Sequence, residues 1–251
     1  MPKQYIGITG FGHRVEVDSV LEAVDTDRLV MVGVLMRGRP GTWDPDFRPN
    51  RHPKPDVLPG IFGPQRNALN MLHFTPLPGC DLYEHLCIAQ ELAGPHCHGF
   101  QLNTPWPDIA ALARYKVSSR FRRSTVITLT VQPDALDAVG WDPKRIARKL
   151  KDYEGVADYV LVDPSAGSGE ELDVSFICDC LDAITTLMPN VGHVAGGGLN
   201  ADNVVEKLSG LLDEFKVSCD AEGKLRTKDD RLDIAESIRY ELAADDLFRQ
   251  Y

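Results

Sequence analysis

Short apolar segments recur along this chain, with helical segments between most of them. That alternation constrains the fold more than any other feature. Residues 5–9, 29–36, 71–75, 99–103, 124–131, 159–162, 193–195 and 215–219 read as strands, several of them rich in Val, Ile and Thr. Residues 29–36 (LVMVGVLM) are apolar throughout, as a strand covered on both faces should be. Residues 15–24, 81–93, 106–115, 143–153, 174–187, 201–212 and 229–244 read as helices, with Gly94-Pro95 as one stop signal and Pro107 in a first turn. Eight strands alternating with helices predict an α/β chain whose parallel sheet closes into a single (β/α)8 TIM barrel over residues 1–251. An open doubly wound sheet is the alternative, but five or six strands are more usual there.

One stretch breaks the rhythm. Residues 37–63 are rich in Pro, Gly, Arg and Asp and contain no convincing element. They predict a long loop at about residues 37–66 between the second strand and the next helix. A loop of that length in a compact fold is usually functional or disordered.

Composition narrows the function classes. The 251 residues are 43% hydrophobic and carry a formal net charge of −10. An acidic chain is a poor partner for nucleic acid or an anionic membrane surface. No apolar run approaches the roughly 18 residues of a membrane span. The six cysteines form no CxxC pair and no signal peptide follows Met1, so reduced thiols and a cytoplasmic location are expected. His96, Cys97 and His98 invite a metal reading. They precede a strand, on the end of a barrel that serves stability, and no fourth ligand is near, so no metal is expected. Cys178 and Cys180 lie in a helix as packing residues. No cofactor is implied, and monomer and homodimer stay open.

In a closed barrel the site forms where strands run out into the following loops. Asp163 ends the apolar run 160–162, where a buried carboxylate can serve as general acid or base. Gly167, Ser168 and Gly169 follow it, and Gly196, Gly197 and Gly198 follow the next strand. Two such turns let backbone N–H groups approach an anion, so they are the expected phosphate-binding residues. Arg37 and Arg39 could clamp a carboxylate or phosphate. His73, Gln101 and Asn103 lie at neighbouring strand ends and are expected to touch substrate. His13 lies on the first strand-to-helix loop, and its imidazole is available as a base near neutral pH.

With these residues assembled, the chain resembles phosphoribosylanthranilate isomerase, the tryptophan-pathway enzyme built on a (β/α)8 barrel. Ile6-Gly7-Ile8-Thr9 is similar to the family's Cys-Gly-Ile-Thr, and Gln101-Leu102-Asn103 to its Gln-Leu-His. Residues 163–173 resemble its Asp, Gly-Ser-Gly, Phe-Asp segment. Residues 195–204 resemble its Ala-Gly-Gly-Leu-x-x-x-Asn-Val, with one extra glycine. The family rearranges a phosphoribosyl amine to a ketose amine: an acid opens the furanose ring and a base moves the C2 proton. The resemblance implies Asp163 as the acid. It sets Ile6 where the family has its cysteine base, and isoleucine cannot accept a proton. The family's last-strand Ser-Gly-Val-Glu turn is here residues 218–222 (SCDAE), without the glycine and with an added negative charge.

The expectation is an aldose–ketose isomerase acting on a phosphorylated sugar derivative, with Asp163 as acid/base and His13 as the replacement base. The alternative is a non-catalytic barrel that binds a phosphorylated sugar or regulates, having lost the base. A lyase or aldolase is disfavoured because no lysine sits at a strand end in a Schiff-base setting.

Overall fold

The structure is a computed structural model that describes residues 2–24, 27–118, 125–165 and 172–251. Its strands are β1 (Tyr5–Thr9), β2 (Leu29–Gly38), β3 (Ala68–Pro76), β4 (Gly99–Leu102), β5 (Val126–Val131), β6 (Tyr159–Val162), β7 (Gly192–Gly196) and β8 (Val217–Ala221). They pair in that order, all parallel, and β8 closes on β1. The fold is a (β/α)8 TIM barrel. The helices are α1 (Arg14–Ala23), α2 (Leu58–Ile61), α3 (Leu82–Ala93), α4 (Ile109–Lys116), α5 (Pro133–Asp137), α6 (Pro143–Lys151), α7 (Val174–Leu187), α8 (Val204–Glu214) and α9 (Ile234–Phe248).

Side chains alternate across each strand, so every strand feeds two cores. Ile6, Ile8, Val30, Val32, Val34, Leu72, Phe100, Ile127 and Val160 pack in the layer between strands and helices. Tyr5, Met31, Leu69, Met71, Tyr159, Leu161 and Val194 fill the lumen, with Tyr5 edge-on to Tyr159 at 5.1 Å between ring centroids. These bulky side chains plug the lower barrel and leave its other end to polar residues.

Five helices begin on an aspartate whose carboxylate accepts a first-turn backbone N–H: Asp81, Asp108, Asp142, Asp173 and Asp233. Part of the acidic composition therefore caps helices, where the dipole favours negative charge.

Several boundaries differ from the sequence expectation. The helix expected over 106–115 starts only at Ile109, because Asp108 is its cap and Trp106 sits at φ +44°. The last strand, expected over 215–219, runs two residues later. Phe215 is the C-cap of α8, and its N–H still bonds Leu211 O. The last helix starts at Ile234 rather than at 229, after a loop closed by an Arg226–Leu232 bridge. Within the long loop, β2 continues through Gly38 and α2 forms one turn at Leu58–Ile61. Among the described residues, no helix is long and apolar enough to cross a membrane.

Candidate active site

A cavity of about 530 Å³ opens at the C-terminal ends of the strands. Its walls come from the ends of β2 to β8 and from the loop over residues 39–57. Of the residues expected at a site, Arg37, His73, Asn103, Asp163, Gly196, Gly197 and Gly198 line it. Gln101 lies just beneath, fully buried. Arg39 and His13 are exposed and do not line the cavity. His13 is instead the N-cap of α1, with its backbone N–H donated to Glu16 Oε2 at 3.0 Å. Gly167, Ser168 and Gly169 lie outside the described residues.

Asp163 stands at the end of β6, where period-two alternation turns it into the lumen beside Leu161. It is 8% exposed, and its Oδ1 accepts from Ser165 Oγ at 2.7 Å and from Ser165 N at 3.0 Å. Burial raises its pKa, and the Ser165 bonds oppose the rise. Across the next strand, Gly197 adopts φ +124°, in the region that favours glycine. A Cβ there would lie 3.4 Å from both Asp163 Oδ1 and Ser165 Oγ. The glycine turn is thus shaped to sit against the carboxylate.

A second carboxylate, Asp220 of β8, is the negative charge noted in residues 218–222, but a strand ending at 219 leaves it in the following loop with no site role. Strand β8 reaches Ala221, so Asp220 faces inward and is buried. Its Oδ2 accepts from Gln101 Nε2 at 2.7 Å and its Oδ1 from Thr9 Oγ1 at 3.1 Å. Gln101 spans the lumen from β4 to β8 and closes the cavity floor. Burial pushes the Asp220 pKa up to about 6; the Gln101 and Thr9 hydrogen bonds and nearby His73 hold it down, while Glu222 adds to the rise.

The floor also holds polar atoms without partners. His73 Nδ1, Gln101 Oε1 and Thr130 Oγ1 are buried with no hydrogen bond. Unmade bonds of this kind are unfavourable, and they concentrate where a polar ligand can complete them. His73 and Gln101 are register partners on β3 and β4, so both point into the lumen at one level.

The 39–57 loop crosses the mouth. Its Phe47, Arg48, Arg51 and His52 line the cavity, and the Arg37 guanidinium lies 4.1 Å over the Phe47 ring. Arg51 pairs with Glu222 Oε1 at 2.8 Å and with Asp230, and Asn50 Nδ2 donates to Asp229 O at 2.8 Å. The loop is therefore fastened to the segment after β8. Burial lowers the His52 pKa. From that same segment Arg226 donates to Thr9 O and Gly10 O, tying it to the end of β1.

The first-strand comparison changes in three dimensions. Ile6 packs between the strands and the helices. The neighbouring position, Gly7, faces the lumen, where a Cβ would come 2.8 Å from Asp220 Oδ1. No cysteine lines the cavity. Among the described residues, no three His, Cys, Asp or Glu side chains form a group that could hold a metal ion.

No protein-family model matches the chain, and no curated protein matches it. Solved structures do. Phosphoribosyl anthranilate isomerase from Thermus thermophilus aligns with a TM-score of 0.64 at 15% identity, over 97% of this chain and 99% of that one. TrpF from Jonesia denitrificans aligns with a TM-score of 0.64 at 16% identity, over 98% of each chain. Phosphoribosyl anthranilate isomerase from Thermococcus kodakaraensis aligns with a TM-score of 0.61 at 16% identity over the whole of both. In fold, the chain is similar to phosphoribosylanthranilate isomerases. That likeness runs end to end, and at this identity it speaks for the barrel rather than for the chemistry.

Proposed function

We propose that this barrel is an aldose–ketose isomerase acting on a phosphorylated sugar derivative, with Asp163 as its general acid/base. The observation that carries this reading is a buried carboxylate of raised pKa, Asp163, lining one cavity with a glycine turn so near it that a Cβ on Gly197 would lie 3.4 Å from its Oδ1. A carboxyl kept protonated nearer neutrality can give a proton to a ring oxygen. Backbone N–H groups of the Gly196, Gly197 and Gly198 turn, with Gly167, Ser168 and Gly169, would hold the phosphate. Arg37, His73 and Asn103 would meet the rest of the substrate, and Gln101 would act from the floor.

A non-catalytic binding barrel is the second reading. It is favoured by the absence of any cysteine from the cavity lining and by the place of His13 outside the cavity. One experiment separates the two: the purified protein is assayed with phosphoribosylanthranilate, alongside Asp163→Asn. Turnover that the substitution abolishes supports the isomerase. Calorimetric binding of the phosphorylated sugar without turnover supports the binding barrel. Absence of both overturns each.

A further inference from the structure

We infer that Asp220 is the proton acceptor of this site, working with Asp163 as a pair of carboxylates set on either side of β7. The inference rests on the isomerase reading and supplies the base that reading lacks. Four observations place it there. Asp220 faces the same cavity as Asp163, and Gly196 stands between them: a Cβ on Gly196 would lie 3.5 Å from Asp163 Cβ and 3.6 Å from Asp220 O. Two donors on different strands fix the carboxylate: Gln101 Nε2 donates to Oδ2 at 2.7 Å, and Thr9 Oγ1 is shared between Oδ1 at 3.1 Å and Oδ2 at 3.3 Å. Oδ1, met only by the Thr9 hydroxyl, keeps a further lone pair for a substrate proton. Its register partner on β1 is Gly7, whose missing side chain leaves room for the carboxylate in the lumen.

Two other titratable groups of the cavity, Glu222 and His73, are placed less well to accept a proton. Glu222 is paired with Arg51 at 2.8 Å. His73 has no partner on Nδ1 to fix its ring through that nitrogen.

The step balances without an external oxidant or reductant. Asp163 gives its proton to the ring oxygen as the C1–O bond breaks, and the nitrogen lone pair forms C=N. Asp220 then takes the C2 proton. The C–H electrons form C1=C2, and the C=N pair returns to nitrogen. Ketonisation moves the enol proton off oxygen and places one on C1.

Asp220→Asn keeps the size of the side chain and removes its basicity. With phosphoribosylanthranilate, kcat should fall about 10²–10⁴-fold while KM stays within about threefold. In the wild type, log kcat/KM should rise with pH through an acid limb near pH 6, because Asp220 must be ionised. The groups facing it are His73 from β3, Gln101 from β4, Thr9 and Tyr5 from β1, Tyr240 from α9, and Cys219 and Glu222 from its own segment. Thr9→Val removes one hydrogen bond to the carboxylate and should move the acid limb to higher pH. This second variant covers a failure of the first to fold, and a purely structural Asp220 would not shift the limb.

Wild-type turnover that survives Asp220→Asn within threefold, or an acid limb that stays in place in Thr9→Val, overturns the assignment and leaves the isomerase standing. A wild type that does not turn the substrate over at all overturns the isomerase and Asp220 with it.

Discussion

Two regions of this barrel bury a carboxylate, and they do so in opposite ways. In the lumen, Asp220 accepts hydrogen bonds from Thr9 and Gln101 and borders a cavity. On α9, Glu241 is fully buried, neither of its carboxylate oxygens has a hydrogen-bond partner, and it does not line the cavity at the barrel mouth. Burial raises both, Asp220 to about 6 and Glu241 to about 7, with Asp245 adding to the Glu241 rise and Arg28 and Arg249 opposing it. A perturbed pKa is therefore poor evidence of a site on its own. Orienting donors and an open cavity separate a group poised for chemistry from one that merely tolerates burial.

The sharpest test of that contrast is catalytic. Asp220→Asn at the cavity should lower kcat/KM for phosphoribosylanthranilate about 10²–10⁴-fold. Glu241→Gln should leave it within threefold in the same steady-state assay. Loss of activity in the α9 variant would break the comparison.

The next effect is on stability. The folded pKa of Glu241 lies above its ordinary value of 4.5, so the folded state holds the extra proton. Its stabilising contribution is complete below about pH 4.5 and is lost as pH rises through about 7. Glu241→Gln should match the wild type at pH 4 and exceed it at pH 8 by on the order of 3 kcal/mol. Urea unfolding at the two pH values reads the difference.

A smaller change is expected at the glycine turn. Gly197→Ala imposes a side chain at φ +124° against Asp163 and Ser165. The strain should cost about 1–2 kcal/mol of stability, and phosphorylated-sugar binding should weaken about tenfold or more in calorimetry. An alanine variant that binds as the wild type does would remove the turn from the phosphate site.

The smallest effect belongs to the loop clamp. Arg51→Ala releases the 39–57 loop from Glu222 and Asp230. It should cost about 1 kcal/mol or less because these charges are partly solvated. Faster limited proteolysis within 39–57 would reveal the release.

Much of the architecture was legible in the sequence because it depends on local periodicity. The apolar run at 29–36 read as a covered strand, and eight such segments separated by helices favoured closure over an open doubly wound sheet. Asp163 was legible for the same reason: a charge after Val160-Leu161-Val162 can only sit at a strand end. The glycines at 196–198 were legible because no other residue accepts such conformations as readily.

The faces that Asp220 and Ile6 take were not legible. A strand shifted by one residue sends every side chain to the other face, and nothing local in residues 215–222 fixes where β8 begins. Its start is decided by the C-cap of α8 and by pairing with β1 across more than 200 residues of sequence. That pairing turns Asp220 inward, above Gly7, and sets Ile6 against the helices. Local alternation determined that this chain makes a barrel with a carboxylate at its mouth. Barrel closure, which joins the first strand to the last, decided that a second carboxylate faces the same cavity as the first.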